Sequence, residues 1–162
     1  MTITVGDKMP DAGLLTMTDE GPNVVELGPL LKGRKVVVFG LPGAFTGTCH
    51  TAHMPSFIRT ADAFHAKGVE QIICIAVNDP FVTKTWAEAS GTSDGPVTIL
   101  ADSDGALTKA IGMDFDAPPV GFYGRSTRYS MLLEDGVVKI LNTEDKAGVC
   151  ELTAGENLLD QI

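Results

Sequence analysis

Three short apolar runs, Val36–Phe39, Ile72–Val77 and Val97–Ala101, constrain this 162-residue chain more than any other feature. Each is too short for a helix, is mostly β-branched or aliphatic, and stops at a polar or Gly/Pro break. That is the pattern of a central strand buried on both faces. Between the first two runs, Phe57, Ile58, Ala61 and Phe64 recur at helical spacing within Thr48–Lys67. After the second, Asn78-Asp79-Pro80 supplies capping side chains and a first-turn proline for a helix reaching Ala89. Strand alternating with helix predicts an α/β fold. Tyr129–Leu133 and Val137–Leu141 flank Glu134-Asp135-Gly136 and read as an antiparallel hairpin, so the sheet is expected to be mixed and flanked by helices. Ala154–Ile162 carries Leu158, Leu159 and Ile162 on one helical face, suited to packing on that sheet. Gly112–Thr127, with Pro118-Pro119, Gly121 and Gly124, reads as a long loop with a functional or interface role.

Composition narrows the function. With 44% hydrophobic residues the chain can bury one sizeable core, and residues 1–162 are expected to form a single domain. A net charge of −9 repels phosphate backbones and anionic bilayers, so neither nucleic acid nor membrane is the expected partner. No apolar run approaches the roughly 18 residues of a bilayer span, and the start Met1–Lys8 lacks the basic-then-apolar order of a secretion signal. A cytoplasmic location is the expectation. Cys49, Cys74 and Cys150 are too few and too dispersed for a disulfide framework, and no Cys-x-x-Cys pair or Cys/His quartet suggests zinc.

The chemistry concentrates in Leu41-Pro42-Gly43-Ala44-Phe45-Thr46-Gly47-Thr48-Cys49, which leaves a buried strand, turns through glycines and delivers a cysteine at a helix start. Free N–H groups and the positive end of a helix dipole favour anionic sulfur, the nucleophilic form. Thr46 can turn its hydroxyl toward the sulfur or toward an oxygen bound beside it, and Pro42 can exclude water without adding a donor. Rival readings of the segment fail on their own requirements. A phosphate-binding loop needs a lysine, and none stands between Gly40 and Lys67. A cysteine phosphatase needs an arginine six residues after the nucleophile, where Pro55 stands. Cys49, His50 and His53 lack an evident fourth metal ligand.

Pro42-x-x-x-Thr46-x-x-Cys49 resembles the Pro-x-x-x-Thr/Ser-x-x-Cys motif of the peroxiredoxins. The flanking Pro-Gly-Ala-Phe-Thr, His53-Met54-Pro55, Ala76–Val82 and Arg128-Tyr129-Ser130-Met131 are similar to the type II, or peroxiredoxin-5, subfamily. The resemblance spans nearly the whole chain and implies a thioredoxin-like fold. It also implies a peroxidase in which the Cys49 thiolate attacks a hydroperoxide and becomes a sulfenic acid. Thr46 Oγ, the Cys49 N–H and Arg128 would be the donors aimed at the two oxygens of the O–O bond, and Arg128 would also set a positive charge beside sulfur. No cofactor is implied beyond an external thiol reductant. Cys150 resembles the resolving cysteine of atypical two-cysteine members, which close an intramolecular disulfide reduced by thioredoxin. The rival is a one-cysteine cycle served by glutathione or glutaredoxin, with Cys150 a bystander. A homodimer is the expected assembly. The chain departs from many relatives at Gly47, where they have proline, and at Ser56, where they have glycine.

Other residues carry quieter expectations. Cys74 reads as a buried core thiol, Arg125 as a solvated surface arginine, and His50 and His53 as structural or hydrogen-bonding residues. Phe45, Phe81, Pro119 and Phe122 either line an apolar rim, for organic hydroperoxides or a dimer contact, or simply belong to the core. Trp86 reads as packing. Of the other function classes, a thiol-disulfide oxidoreductase lacks its second cysteine, since position 52 is Ala52. A redox-inactive thioredoxin-like binding or chaperone module fits poorly with Thr46, Cys49 and Arg128 all present.

Overall fold

The computed structural model describes residues 1–146 and 148–162. The three apolar runs become the parallel centre of a seven-stranded mixed sheet: β3 (Lys35–Leu41), β4 (Gln71–Ala76) and β5 (Val97–Ala101). The expected hairpin is present as β8 (Tyr129–Glu134) and β9 (Val137–Thr143), with Asp135 and Gly136 both at positive φ in its turn. β8 pairs antiparallel with β3, placing Tyr129 opposite Gly40 and bringing residue 128 to the chemical end of β3.

Alternation along β3 shows how the sheet is covered. Val37, Phe39 and Leu41 face one core with Phe57, Phe64, Trp86 and Leu158, while Val36 and Val38 face a second with Leu14, Tyr129 and Met131. The first core lies beneath α2 (Met54–Ala66), α3 (Pro80–Ser90) and α5 (Gly155–Asp160). In α3 the expected N-cap forms, with Asp79 accepting from the Val82 N–H at 2.9 Å and Pro80 in the first turn. On the other face lie α1 (Leu27–Leu31), through Leu27 and Leu31, and α4 (Ala106–Ala110), through Leu107.

Two regions depart from the sequence reading. An N-terminal hairpin, β1 (Gly13–Thr18) and β2 (Gly21–Glu26), joins the sheet at its edge beside β5. Its outer strand is largely exposed, so it carries no apolar run to announce it. Gly112–Thr127 is not a loop: it folds into a separate two-stranded hairpin, β6 (Asp114–Ala117) and β7 (Phe122–Ser126), with the 3-10 turn Pro118–Val120 at its tip. The two prolines and Gly121 shape that tip instead of an open connector, Gly121 adopting φ 73°.

α5 docks through a near-backbone contact. The Gly155 N–H donates to Ser56 Oγ at 2.9 Å, and a Cβ at Gly155 would lie 2.7 Å from the Ser56 carbonyl oxygen and 2.6 Å from Thr60 Oγ1. Ser56 thus anchors the C-terminal helix, while its own hydroxyl donates to the His53 carbonyl at 2.7 Å. Gly155→Ala is expected to lower unfolding free energy by about 1–3 kcal/mol through this overpacking, read by urea denaturation at pH 7. Unchanged stability would show that the contact yields freely.

Candidate active site

β3 ends at Leu41 and the chain turns through buried Pro42 and Gly43 to Phe45, a non-glycine residue at φ 61°. Left-handed backbone at a bulky residue costs roughly 1–2 kcal/mol, and it sits here two residues before the helical turn that presents Cys49. The segment expected to be one helix from Thr48 to Lys67 is divided. Cys49–His53 forms a π-helical turn, closed by the Met54 N–H donating to the Cys49 carbonyl, and α2 follows. Such turns widen the helix and turn its side chains relative to regular α geometry.

Cys49 is 1% exposed. Arg128, 6% exposed, donates from Nη2 to Cys49 Sγ at 3.3 Å. Its Nη1 meets His53 Nδ1 at 3.1 Å, and His53 Nε2 meets the Thr153 carbonyl at 3.0 Å. A guanidinium only donates and a carbonyl only accepts, so the ring is neutral with its proton on Nε2. No carboxylate pairs with Arg128 among the described residues. A buried cation without a carboxylate needs another source of negative charge, and the sulfur is the group in contact with it. Two donors remain open among the described residues: Arg128 Nε is buried without a partner, and the Cys49 N–H makes no hydrogen bond.

The other expected site residues fall around this pair. Thr46 differs from expectation, since its hydroxyl donates to the Gly43 carbonyl at 2.7 Å, leaving oxygen lone pairs as its open function. Pro42 is buried, and its carbonyl accepts from Arg125 Nη1 at 2.9 Å. Arg125 is therefore no solvated bystander: it braces the loop from β7, its guanidinium 5.2 Å from the Phe122 ring centroid, and a Cβ at Gly43 would collide with it. Nothing in the sequence distinguished this arginine except its place three residues before Arg128. Trp86 is fully buried and its indole donates to His50 Nδ1 at 2.9 Å, so it both packs and orients the neighbouring histidine. Phe45 and Phe81 are 47% and 65% exposed and Pro119 is exposed, which removes the core reading for these three.

Cys150 is half-buried in the segment leading to α5. Thr48 Oγ1 donates to the Gly148 carbonyl at 2.7 Å, tying that segment to the turn that holds Cys49. Burial raises the Cys150 pKa, opposed by the Thr153 hydroxyl 3.8 Å away and by the Arg128 charge. Cys74 is fully buried on β4, and burial raises its pKa well above the ordinary thiol value, as the core reading expects. Among the described residues no three His, Cys, Asp or Glu side chains gather as a metal site, and no helix is long and apolar enough to cross a membrane.

Comparison with known proteins gives a consistent result. The sequence profile of the Redoxin family matches residues 4–159. The chain is 45% identical to the rice protein named Peroxiredoxin-2E-2, chloroplastic, over 99% of this chain and 73% of that one. It is 38% identical to Peroxiredoxin-2D of Arabidopsis thaliana, over 99% and 98% of the two chains. Among solved structures, the reduced Prx3 of Vibrio vulnificus in complex with hydrogen peroxide superposes with TM-score 0.90 at 41% identity, covering 99% of both chains. Peroxiredoxin 5 of Alvinella pompejana superposes with TM-score 0.82 at 30% identity, covering 97% of this chain and 96% of that one.

Neutral His53 has a thermodynamic consequence. Burial, then the Arg128 charge, lower its pKa from 6.5 to about 3, against the raising effect of the Thr153 carbonyl. Between those values the unfolded imidazole holds a proton that the folded one refuses, so stability falls as pH drops from 6.5 toward 3. In urea titrations at pH 7 and about pH 4.5, the wild type is expected to lose roughly 2–3 kcal/mol more than His53→Asn. Equal losses would show that the ring takes up its proton in the folded state.

Proposed function

The chain belongs to the redoxin family and is a peroxiredoxin with the thioredoxin-like fold, a thiol-dependent peroxidase, and from that premise we propose that Cys49 is its peroxidatic cysteine. Peroxiredoxins reduce peroxide with thiol reductants and in general need no resident cofactor. The observation that carries the assignment is the contact of Cys49 Sγ with a buried guanidinium that has no carboxylate partner among the described residues.

In the proposed reaction the Cys49 thiolate attacks the terminal oxygen of ROOH. An S–O bond forms as the O–O bond breaks, and the departing RO⁻ takes a proton to leave as ROH, with Cys49 left as sulfenic acid. Charge passes from sulfur to the leaving oxygen, so fixed donors that meet the two oxygens lower the barrier. The open Arg128 Nε–H and Cys49 N–H support that role, because an unpaired buried donor costs about 1–3 kcal/mol that a bound peroxide oxygen offsets. Thr46, its own proton committed to Gly43, would accept a hydrogen bond from the peroxide O–H, and Pro42 would keep water from the sulfur. Exposed Phe45, Phe81 and Pro119 support an apolar rim that admits organic hydroperoxides or seats the partner of a homodimer.

For recycling we assign Cys150 as the resolving cysteine. Its thiol attacks the Cys49 sulfenic sulfur and releases water, and thioredoxin reduces the resulting disulfide. The Thr48–Gly148 bond supports this reading, as does the Arg128 charge, which opposes the rise that burial imposes on the Cys150 pKa.

Wild type is expected to consume hydrogen peroxide rapidly with a thioredoxin system, and Cys49→Ser not at all. Mass spectrometry after one equivalent of peroxide is expected to find a Cys49–Cys150 bridge. Equal consumption by both proteins would remove the assignment of Cys49. A glutathione adduct or sulfenic acid at Cys49 with Cys150 free would instead establish the one-cysteine cycle served by glutathione or glutaredoxin.

A further inference from the structure

We propose that His53 is the positioning residue of this site, aiming Arg128 at Cys49 and tying that aim to the segment that carries Cys150. The inference rests on the assignment of Cys49 and Arg128 above and adds what holds them in register.

An arginine side chain is long and has many rotamers, so a buried one keeps a single aim only where its N–H groups find fixed acceptors. Among the described residues Arg128 has two partners, the Cys49 sulfur and His53 Nδ1. The sulfur is the reacting atom and changes state in the reaction, which leaves the imidazole as the permanent acceptor. His53 is itself fixed on all sides. Its ring packs at a tilt against the stacked Phe39–Phe57 pair, with centroids 5.0 and 5.6 Å away, and its Nε2–H is held by the Thr153 carbonyl. Thr153 is fixed in turn, since Glu144 Oε1 accepts its N–H at 2.9 Å and its hydroxyl at 2.8 Å, and the same oxygen accepts the Glu151 N–H at 2.8 Å.

The result is one hydrogen-bonded row: Cys49 sulfur, Arg128, His53, Thr153 and, through Glu144, the Glu151 N–H that follows Cys150. Cys49 and His53 are also the first and last residues of the same π-helical turn. If that turn opens to bring Cys49 toward Cys150, His53 moves with it, and both the guanidinium and the Cys150 segment are released together.

The two ring nitrogens can be separated by substitution. In His53→Asn the carboxamide oxygen replaces Nδ1 as acceptor for Arg128 but nothing reaches Thr153. In His53→Gln the carboxamide nitrogen replaces Nε2 as donor to Thr153 and the acceptor for Arg128 is lost. Two readouts are needed: the second-order rate constant for Cys49 oxidation by hydrogen peroxide, and hydrogen exchange of the amides in 148–154. His53→Asn is expected to keep the rate within about threefold of wild type while exchange rises about tenfold; His53→Gln should slow oxidation about tenfold or more with exchange near wild type. Melting temperatures of both variants identify a common loss of stability. If the two variants fall together in rate and protection, or if His53→Gln oxidises like wild type, the inference is overturned. Active wild type beside inactive Cys49→Ser would then leave the peroxidase reading standing.

Discussion

The site is organised around a cation that the interior would otherwise reject. Arg128 is 6% exposed and has no carboxylate partner among the described residues, yet a guanidinium cannot shed its charge. What makes its burial tolerable is the pair of groups at its two terminal nitrogens, the Cys49 sulfur and the neutral ring of His53. A neutral acceptor on one side and a sulfur on the other leave sulfur as the place where negative charge is most favoured. Burial first, and then the guanidinium facing Nδ1, keep His53 unprotonated.

The fold supplies this contact by register. Pairing of Gly40 with Tyr129 sets β8 beside the end of β3, and a side chain at Gly40 would collide with the Tyr129 ring. Arg128 precedes Tyr129 and so reaches the segment where β3 gives way to Pro42 and the left-handed Phe45. Arg125, from the small β6–β7 hairpin, braces the same loop through the Pro42 carbonyl. From the opposite direction, α5 seats Gly155 against Ser56 and brings Thr153 to His53. Three segments distant in sequence therefore meet at one helical turn.

Much of this was legible in advance for physical reasons. Continuous β-branched runs have few alternatives to buried strands, and Asp79-Pro80 or Asp135-Gly136 fix local backbone whatever surrounds them. Pro42, Thr46 and Cys49 lie close enough along the chain for spacing to carry their chemistry. The N-terminal hairpin escaped because its exposed outer strand leaves no hydrophobic period. The β6–β7 hairpin escaped because prolines and glycines that shape a tight tip look the same as those of an open loop. The π-helical turn escaped because it arises from packing at Cys49–His53 and not from local propensity. His53 with Arg128, His53 with Thr153 and Arg125 with Pro42 are contacts between residues 75 or more positions apart. No spacing in the sequence encodes them.

The most direct measurement is the stopped-flow rate constant for Cys49 oxidation by hydrogen peroxide in Arg128→Met, which keeps a flexible side chain and removes the cation. Loss of both the charge beside sulfur and the donors for peroxide is expected to slow the reaction about a hundredfold or more, with the folded protein retained. A rate within about threefold of wild type would contradict the central claim, because a buried charge–sulfur contact that matters to the reaction is worth more than that.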